Sequence, residues 1–202
     1  MGARWAEASG FRTVYQAIRQ VLVVSETDPA LWDVAVPAGY RVRQWTGAAP
    51  DDLVDSYAVA RGAIHDAPFG DLDFRLPEWT AARVREAETE LRELNVEERV
   101  VVTVHVETGA VAGFTALELV PHRPERGNQR ATAVLAEHRE HGLGRCVKAH
   151  MMRWLVADRP AFERVITATS ASNVHMTLVN HQLGYTTVRN TVSVNRKVTP
   201  DG

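Results

Sequence analysis

A glycine-spaced turn between a strand and an amphipathic helix constrains this chain more than any other stretch. "RATAVLAEHREHGLGRCVKAHMMRWL", residues 130–155, runs from β-forming residues through His138, Arg139, Gly142, Gly144 and Arg145 into a helical pattern. Leu143, Val147, Met151 and Trp154 or Leu155 share one helix face. Glycines at 142 and 144 let peptide N–H groups approach a ligand without side-chain interference, and a helix's first turn adds unsatisfied donors and a positive dipole end. Together these favour a phosphate or pyrophosphate. The chain has no G-x-x-x-x-G-K-[ST] sequence, and the dinucleotide fingerprint fails because Val147 stands where its third glycine belongs. What remains is R-x-x-G-x-G over residues 139–144, which on spacing alone is also a plain tight strand-to-helix turn.

The rest of the chain supplies the frame for that turn. With 202 residues and 45% hydrophobic content it has material for one principal domain. "GFRTVYQAIRQVLVV" reads as one or two short strands, and the turn-forming "SETDPALWDVAVPAG" as a linker, so residues 1–24 are expected to be an appendage and 25–38 a connection. From residue 40 the order is strand, helix, helix, three strands, helix, strand, helix and a final pair of strands. Pro50 with two aspartates marks the first helix start. Val84, Ala87, Leu91 and Leu94 mark the second helix. "RVVVTVHVETGAVAGFTALELV" is a hairpin signal, "PHRPERGNQ" a polar loop, and Gly184 a helix C-terminal cap. The long mixed loop "HDAPFGDLDFRLP" is of the kind that carries substrate contacts.

R-x-x-G-x-G between a strand and a helix resembles the pyrophosphate-binding motif of the GNAT superfamily of acyl-coenzyme A dependent N-acyltransferases. The resemblance covers about 35–198, and it is closest to the half-domains of tandem GNAT proteins through "HREHGLG", "VKAHMMRWL" and "SNVHMTLVNHQLGY". It implies an α/β (α+β) fold with a central mixed, mostly antiparallel sheet, a splayed parallel strand pair and flanking helices. On that reading 1–24 resemble the remnant strands of a preceding GNAT half, 39–198 are the GNAT domain and 199–202 a tail. The resemblance further implies that backbone N–H groups of Arg139, Glu140, His141, Gly142, Leu143, Gly144 and Arg145 cradle the pyrophosphate of acetyl-CoA. Val134, Leu135 and Ala136 would offer main-chain groups to the pantetheine arm, and Asn173 would touch that arm near the thioester.

Chemistry then needs a neutral amine, a donor at the developing oxyanion and a proton source for the leaving thiolate. Many similar enzymes carry that source as a tyrosine seven residues after the asparagine, where this chain has Asn180. Tyr185 is the nearest phenol, although it follows the helix-ending glycine and reads equally as a packed aromatic. Thr169 stands where similar half-domains often carry asparagine. As general base, Glu118 lies on a strand beside apolar Phe114 and Ala116, where burial would raise its pKa, and His138 has an unperturbed pKa suited to proton transfer near neutrality. His65 and Asp66 are expected at the acceptor pocket.

The expected activity is transfer of an acetyl or short acyl group from acyl-CoA to a primary amine by direct attack in a ternary complex. The rival is a non-catalytic CoA-binding module or vestigial half; O-acylation or decarboxylation at the same site is a third reading. A net charge of -2 gives no general attraction to nucleic acid or acidic membrane, so the acceptor is expected to be a small-molecule amine. A homodimer is expected to cover an exposed strand edge. No metal is expected: His138 and His141 lie within the phosphate turn and lack a completing carboxylate set. One cysteine, Cys146, and the lack of a signal-peptide core make cytoplasmic the expected location. Trp79 and Trp154 are expected on apolar helix faces.

Overall fold

The computed structural model describes residues 5–6, 8–68, 70–71 and 77–196. Its centre is the run of β-branched residues read above as a hairpin. Strand β3 (Glu97–His105) and strand β4 (Val111–Leu119) pair antiparallel across a turn in which Gly109 adopts φ 71°. Nearly every side chain of both strands is buried, so the sheet must be covered on both faces. Val100, Val102, Val104, Phe114 and Ala116 pack on one face against helix α1 (Val54–Gly62), joined by Val84 of helix α2 (Ala81–Glu93). Val101, Leu117 and Leu119 pack on the other against helix α3 (Leu143–Asp158). Each fully buried valine or leucine contributes about 1.5–3 kcal/mol over an exposed one, so this hairpin anchors both layers.

Around it are strands β1 (Arg12–Val23), β2 (Tyr40–Thr46), β5 (Arg126–Val134), β6 (Arg164–Ser170) and β7 (Thr186–Asn195), with helix α4 (Val174–Gln182) before β7. Among the described residues seven strands form one sheet in the order β2-β3-β4-β5-β6-β1-β7. Neighbours are antiparallel except β5 and β6, whose parallel pairing is confined to Arg126–Asn128 against Arg164–Ile166. Beyond Asn128 the two strands separate. This α+β architecture, a mixed and mostly antiparallel sheet with a splayed parallel pair and helices on both faces, is the expected one.

Several local expectations change. Within the first segment, Arg12–Val23 form one twelve-residue strand, β1, hydrogen-bonded to β6 on one side and β7 on the other. Correspondingly, the described part of "YTTVRNTVSVNRKV" supplies one strand, Thr186–Asn195, rather than a pair, because β1 fills the neighbouring place. The polar loop before β5 is shorter than its composition suggests: pairing starts at Arg126, and a bulge opposite Ala116 and Leu117 leaves Arg130 as the extra residue. Leu94 is the C-cap of α2 and is 68% exposed, whereas Glu88 is buried in that helix. Trp79 precedes α2 instead of lying on it, and the Arg61 guanidinium stacks 3.6 Å from its ring centroid. Of the long mixed loop, residues 69 and 72–76 lie outside the described residues, as do 197–202 at the end of the expected domain and its tail. No helix of the described residues is long and apolar enough to cross a membrane.

Candidate functional site

Helix α3 starts at a turn whose backbone is bent by sequence. Glu140 takes φ 67° and Gly142, the N-cap, φ 73°, both in the left-handed region that glycine adopts at least cost. No side chain caps the helix, and the first helical hydrogen bond made from outside runs from Cys146 N–H to Gly142 O at 3.0 Å. Among the described residues none of the six N–H groups from Glu140 to Arg145 meets a protein acceptor. The Arg145 Nε is also buried without a partner. Six adjacent free donors at a helix N-terminus form a cradle for a multiply charged anion. A coenzyme A pyrophosphate fits this donor set.

The side chains around the turn brace it. Arg139 donates from Nε to Val134 O at 3.3 Å and pairs through Nη2 with Asp66, in the short 3-10 segment Ala63–Asp66. His141 donates from Nδ1 to Arg139 O at 2.8 Å. His138 Nδ1 is hydrogen-bonded to the Tyr40 hydroxyl at 2.9 Å, and the Tyr40 ring also packs against His105 and His141.

From the turn a groove of about 640 Å³ runs along β5 toward the start of α4. Val134, Arg139, Glu140, Gly142, Leu143, Gly144 and Asn173 line it, together with Asp66 and His138. Leu135, Ala136, His141 and Arg145 do not reach its wall. The groove continues into a second cavity of about 300 Å³ at the splay of β5 and β6, the two sharing Thr132, Asn173 and Met176 among their walls. The splay exists because β5 turns away from β6 at the Arg130 bulge, leaving its edge from Gln129 onward unpaired on that side. Asn173 caps α4, its Oδ1 accepting from Met176 N–H at 3.0 Å, which leaves its side-chain N–H groups for a ligand. Thr169 lines the smaller cavity.

The expected proton-handling residues fall in different places. Glu118 itself lines neither cavity; it is ion-paired at 3.1 Å to Arg130, which lines the splay cavity. Burial lifts the carboxyl of Glu98, the cross-strand neighbour of Glu118, to about 7; Glu118 and Glu88 raise it further, against the lowering effect of Arg61. His138 lines the groove but not the splay cavity. Tyr185 is 2% exposed and lines neither; burial raises its phenol, whose oxygen has no partner among the described residues. Asn180 is fully buried and faces β1, donating from Nδ2 to Gln20 Oε1 at 2.7 Å. His65 donates to Pro77 O at 3.1 Å and lies outside both cavities. Asp66 is brought to the turn before α3, through Arg139, and not to the splay. Among the described residues no three potential metal ligands converge.

Sequence reasoning missed Lys148. It sits in the middle of α3, 2% exposed, lines the splay cavity, and holds its Nζ 4.9 Å from the Tyr185 ring centroid. Burial pulls its ammonium down to about 7. The signal was present: Cys146, Val147, Ala149, Met151 and Met152 surround it in sequence, so the helix is apolar on nearly every side where Lys148 stands.

A model of the acetyltransferase (GNAT) family matches residues 68–185. No curated protein matches the chain in sequence. Among solved structures it is similar to a tandem GNAT protein from the clavulanic acid biosynthesis pathway, with a TM-score of 0.76 and 27% identity over 95% of this chain and 56% of that one. A GCN5-related N-acetyltransferase from Sphaerobacter thermophilus aligns with a TM-score of 0.67 and 18% identity, over 95% of this chain and 54% of its own. The chain therefore spans little more than half the length of either structure.

Proposed function

The chain belongs to the acetyltransferase (GNAT) family, and from that premise we propose that it binds acetyl-CoA, or another short acyl-CoA, and transfers the acyl group to a primary amine of a small molecule within a ternary complex. The observation that carries this reading is the run of six N–H groups, Glu140 to Arg145, free of protein acceptors at the start of α3. Those donors, with the dipole of α3 behind them, would hold the pyrophosphate. The unpaired edge of β5 leading to Val134 would align the pantetheine arm by main-chain hydrogen bonds. Asn173, whose side-chain N–H groups have no partner among the described residues, would orient the arm where groove and splay cavity meet.

Bound there, the thioester supplies an activated acyl carbonyl. Of the candidate bases, Glu118 is tied to the splay cavity through Arg130, whereas His138 belongs to the pyrophosphate end with Tyr40. Glu118 is the proposed proton acceptor for the amine. Isothermal titration with acetyl-CoA, followed by a free-thiol assay across a panel of amines, tests the proposal. Wild-type protein should bind and release thiol, and Gly142→Glu should lose binding by placing a carboxylate in the cradle. Glu118→Gln should bind normally and turn over slowly. Unchanged affinity in Gly142→Glu would remove the cradle.

A second reading, a CoA-binding module without turnover, is favoured by one observation. Asn180 stands at the position of the usual tyrosine, and both it and Tyr185 are sealed in the core. Tight binding with no thiol release from any amine would select it.

A further inference from the structure

The splay cavity holds a feature that transfer of a plain acetyl group does not use. Lys148 lines it, is almost wholly buried, and among the described residues forms no ion pair or hydrogen bond, its Nζ lying 4.9 Å from the Tyr185 ring centroid. An ammonium without a counter-ion is among the costliest groups to bury, and it is retained where something pairs with it. Nothing acidic lines the cavity among the described residues; its other cation, Arg130, is already engaged by Glu118. The remaining polar walls include Thr167, Thr169 and Gln129, all largely buried. The Gln129 Nε2 is spent on Thr115 Oγ1 at 2.6 Å and Ala116 O at 2.8 Å. Among the described residues Lys148 is thus the one amine lining the cavity that no protein acceptor engages, beyond a groove whose other end suits phosphates.

We propose that the splay cavity takes an acyl group ending in a carboxylate, such as a malonyl or succinyl group carried on coenzyme A, with Lys148 as the residue that pairs with that carboxylate. This rests on the acyl-CoA reading above and narrows it to a class of acyl donor. Two features of the site support it. A buried cation repels the ammonium form of an amine acceptor and attracts an anion. The cavity also continues the groove past Asn173, where the end of an acyl chain would lie. At neutral pH burial holds Lys148 only partly protonated, so an arriving carboxylate would restore its charge.

The test is isothermal titration of the wild-type chain and of Lys148→Met with CoA, acetyl-CoA and succinyl-CoA, without an acceptor. A charge-assisted hydrogen bond to the largely buried Lys148 should make succinyl-CoA bind about tenfold or more tighter than acetyl-CoA. In Lys148→Met that preference should vanish while CoA affinity stays unchanged. Equal wild-type affinities for the two acyl-CoAs would overturn the proposal while leaving the CoA reading intact, and so would a preference that survives in Lys148→Met. No binding of CoA itself would sink both. Repeating the comparison with amines that do or do not carry a carboxylate separates the sources: a preference confined to carboxylate-bearing acceptors, with none among acyl donors, would also overturn it. If Lys148→Met does not fold, the wild-type comparison decides, with Lys148→Gln as the second variant.

Discussion

Asn180 Nδ2 donates to Gln20 Oε1 over 2.7 Å, joining α4 to β1 across most of the chain, and both side chains are fully buried. The other ends of the pair, Asn180 Oδ1 and Gln20 Nε2, have no partner among the described residues. Losing one member leaves the other's amide buried and unpaired. Asn180→Leu or Gln20→Leu should each destabilise the fold by about 1–3 kcal/mol. The double variant should lose less than the sum of the two. Urea unfolding of all four proteins in a double-mutant cycle measures this, and strict additivity would show that the pair does not act as one unit.

Lys148 makes stability rise with pH. Its folded pKa lies near 7, below the 10.5 of a free lysine, so the unfolded chain binds more protons between those values. The corresponding stability is fully present only above the unfolded pKa and is lost as pH falls toward 7. Lys148→Met should therefore stabilise the ligand-free fold at pH 7, by a few kcal/mol, and should flatten the rise otherwise seen from pH 7 to 9. Denaturant midpoints at three pH values are the measurement.

Glu98 acts in the opposite sense at lower pH. Its folded pKa of about 7 is raised above 4.5, chiefly by burial, so its contribution is complete below pH 4.5 and is lost as pH rises through 7. In Glu98→Gln the stability lost by wild type between pH 5 and 7.5 should be largely absent. A wild-type slope unchanged in the variant would mean that Glu98 titrates at an ordinary value.

Asp66 places a carboxylate beside Arg139 at the edge of the cradle proposed for the pyrophosphate. Asp66→Asn keeps the shape, removes a negative charge from an anion site and frees the guanidinium. Coenzyme A should then bind several-fold more tightly at low salt. Both side chains are about half exposed, so screening should shrink the gain at high ionic strength. Weaker binding would mean instead that the pair holds Arg139 in its working position.

What the sequence made legible was local. Residues 130–155 announced strand, turn and helix because each rests on spacing within a few residues, and Gly142 adopts the left-handed backbone that a glycine-specific turn requires. The hairpin β3–β4 was readable for the same reason. The place of β1 was not: "RTVYQAIRQVLV" has the composition of a strand, but its partners lie in β6 and β7, and no local pattern names a partner so distant. Glu98 reads as part of a solvated "EER" at a strand start, and only the packing of α1 and its Arg61 against that strand makes it a buried acid. Lys148 was hidden by habit, since a lysine in a helix is usually assigned to its wet side.

The position of β1 also sets a schedule. On a ribosome the segment Arg12–Val23 is made long before Ser170, which pairs with Ala17, and Asn195, which pairs with Arg12. At translation speeds of about 5–20 residues per second, β1 waits roughly 10–30 s for its neighbours. During that interval a strand with two unsatisfied edges is available to whatever other edge it meets, and the slow, late closure of the sheet is the step at which a nascent chain of this design is most exposed to mispairing.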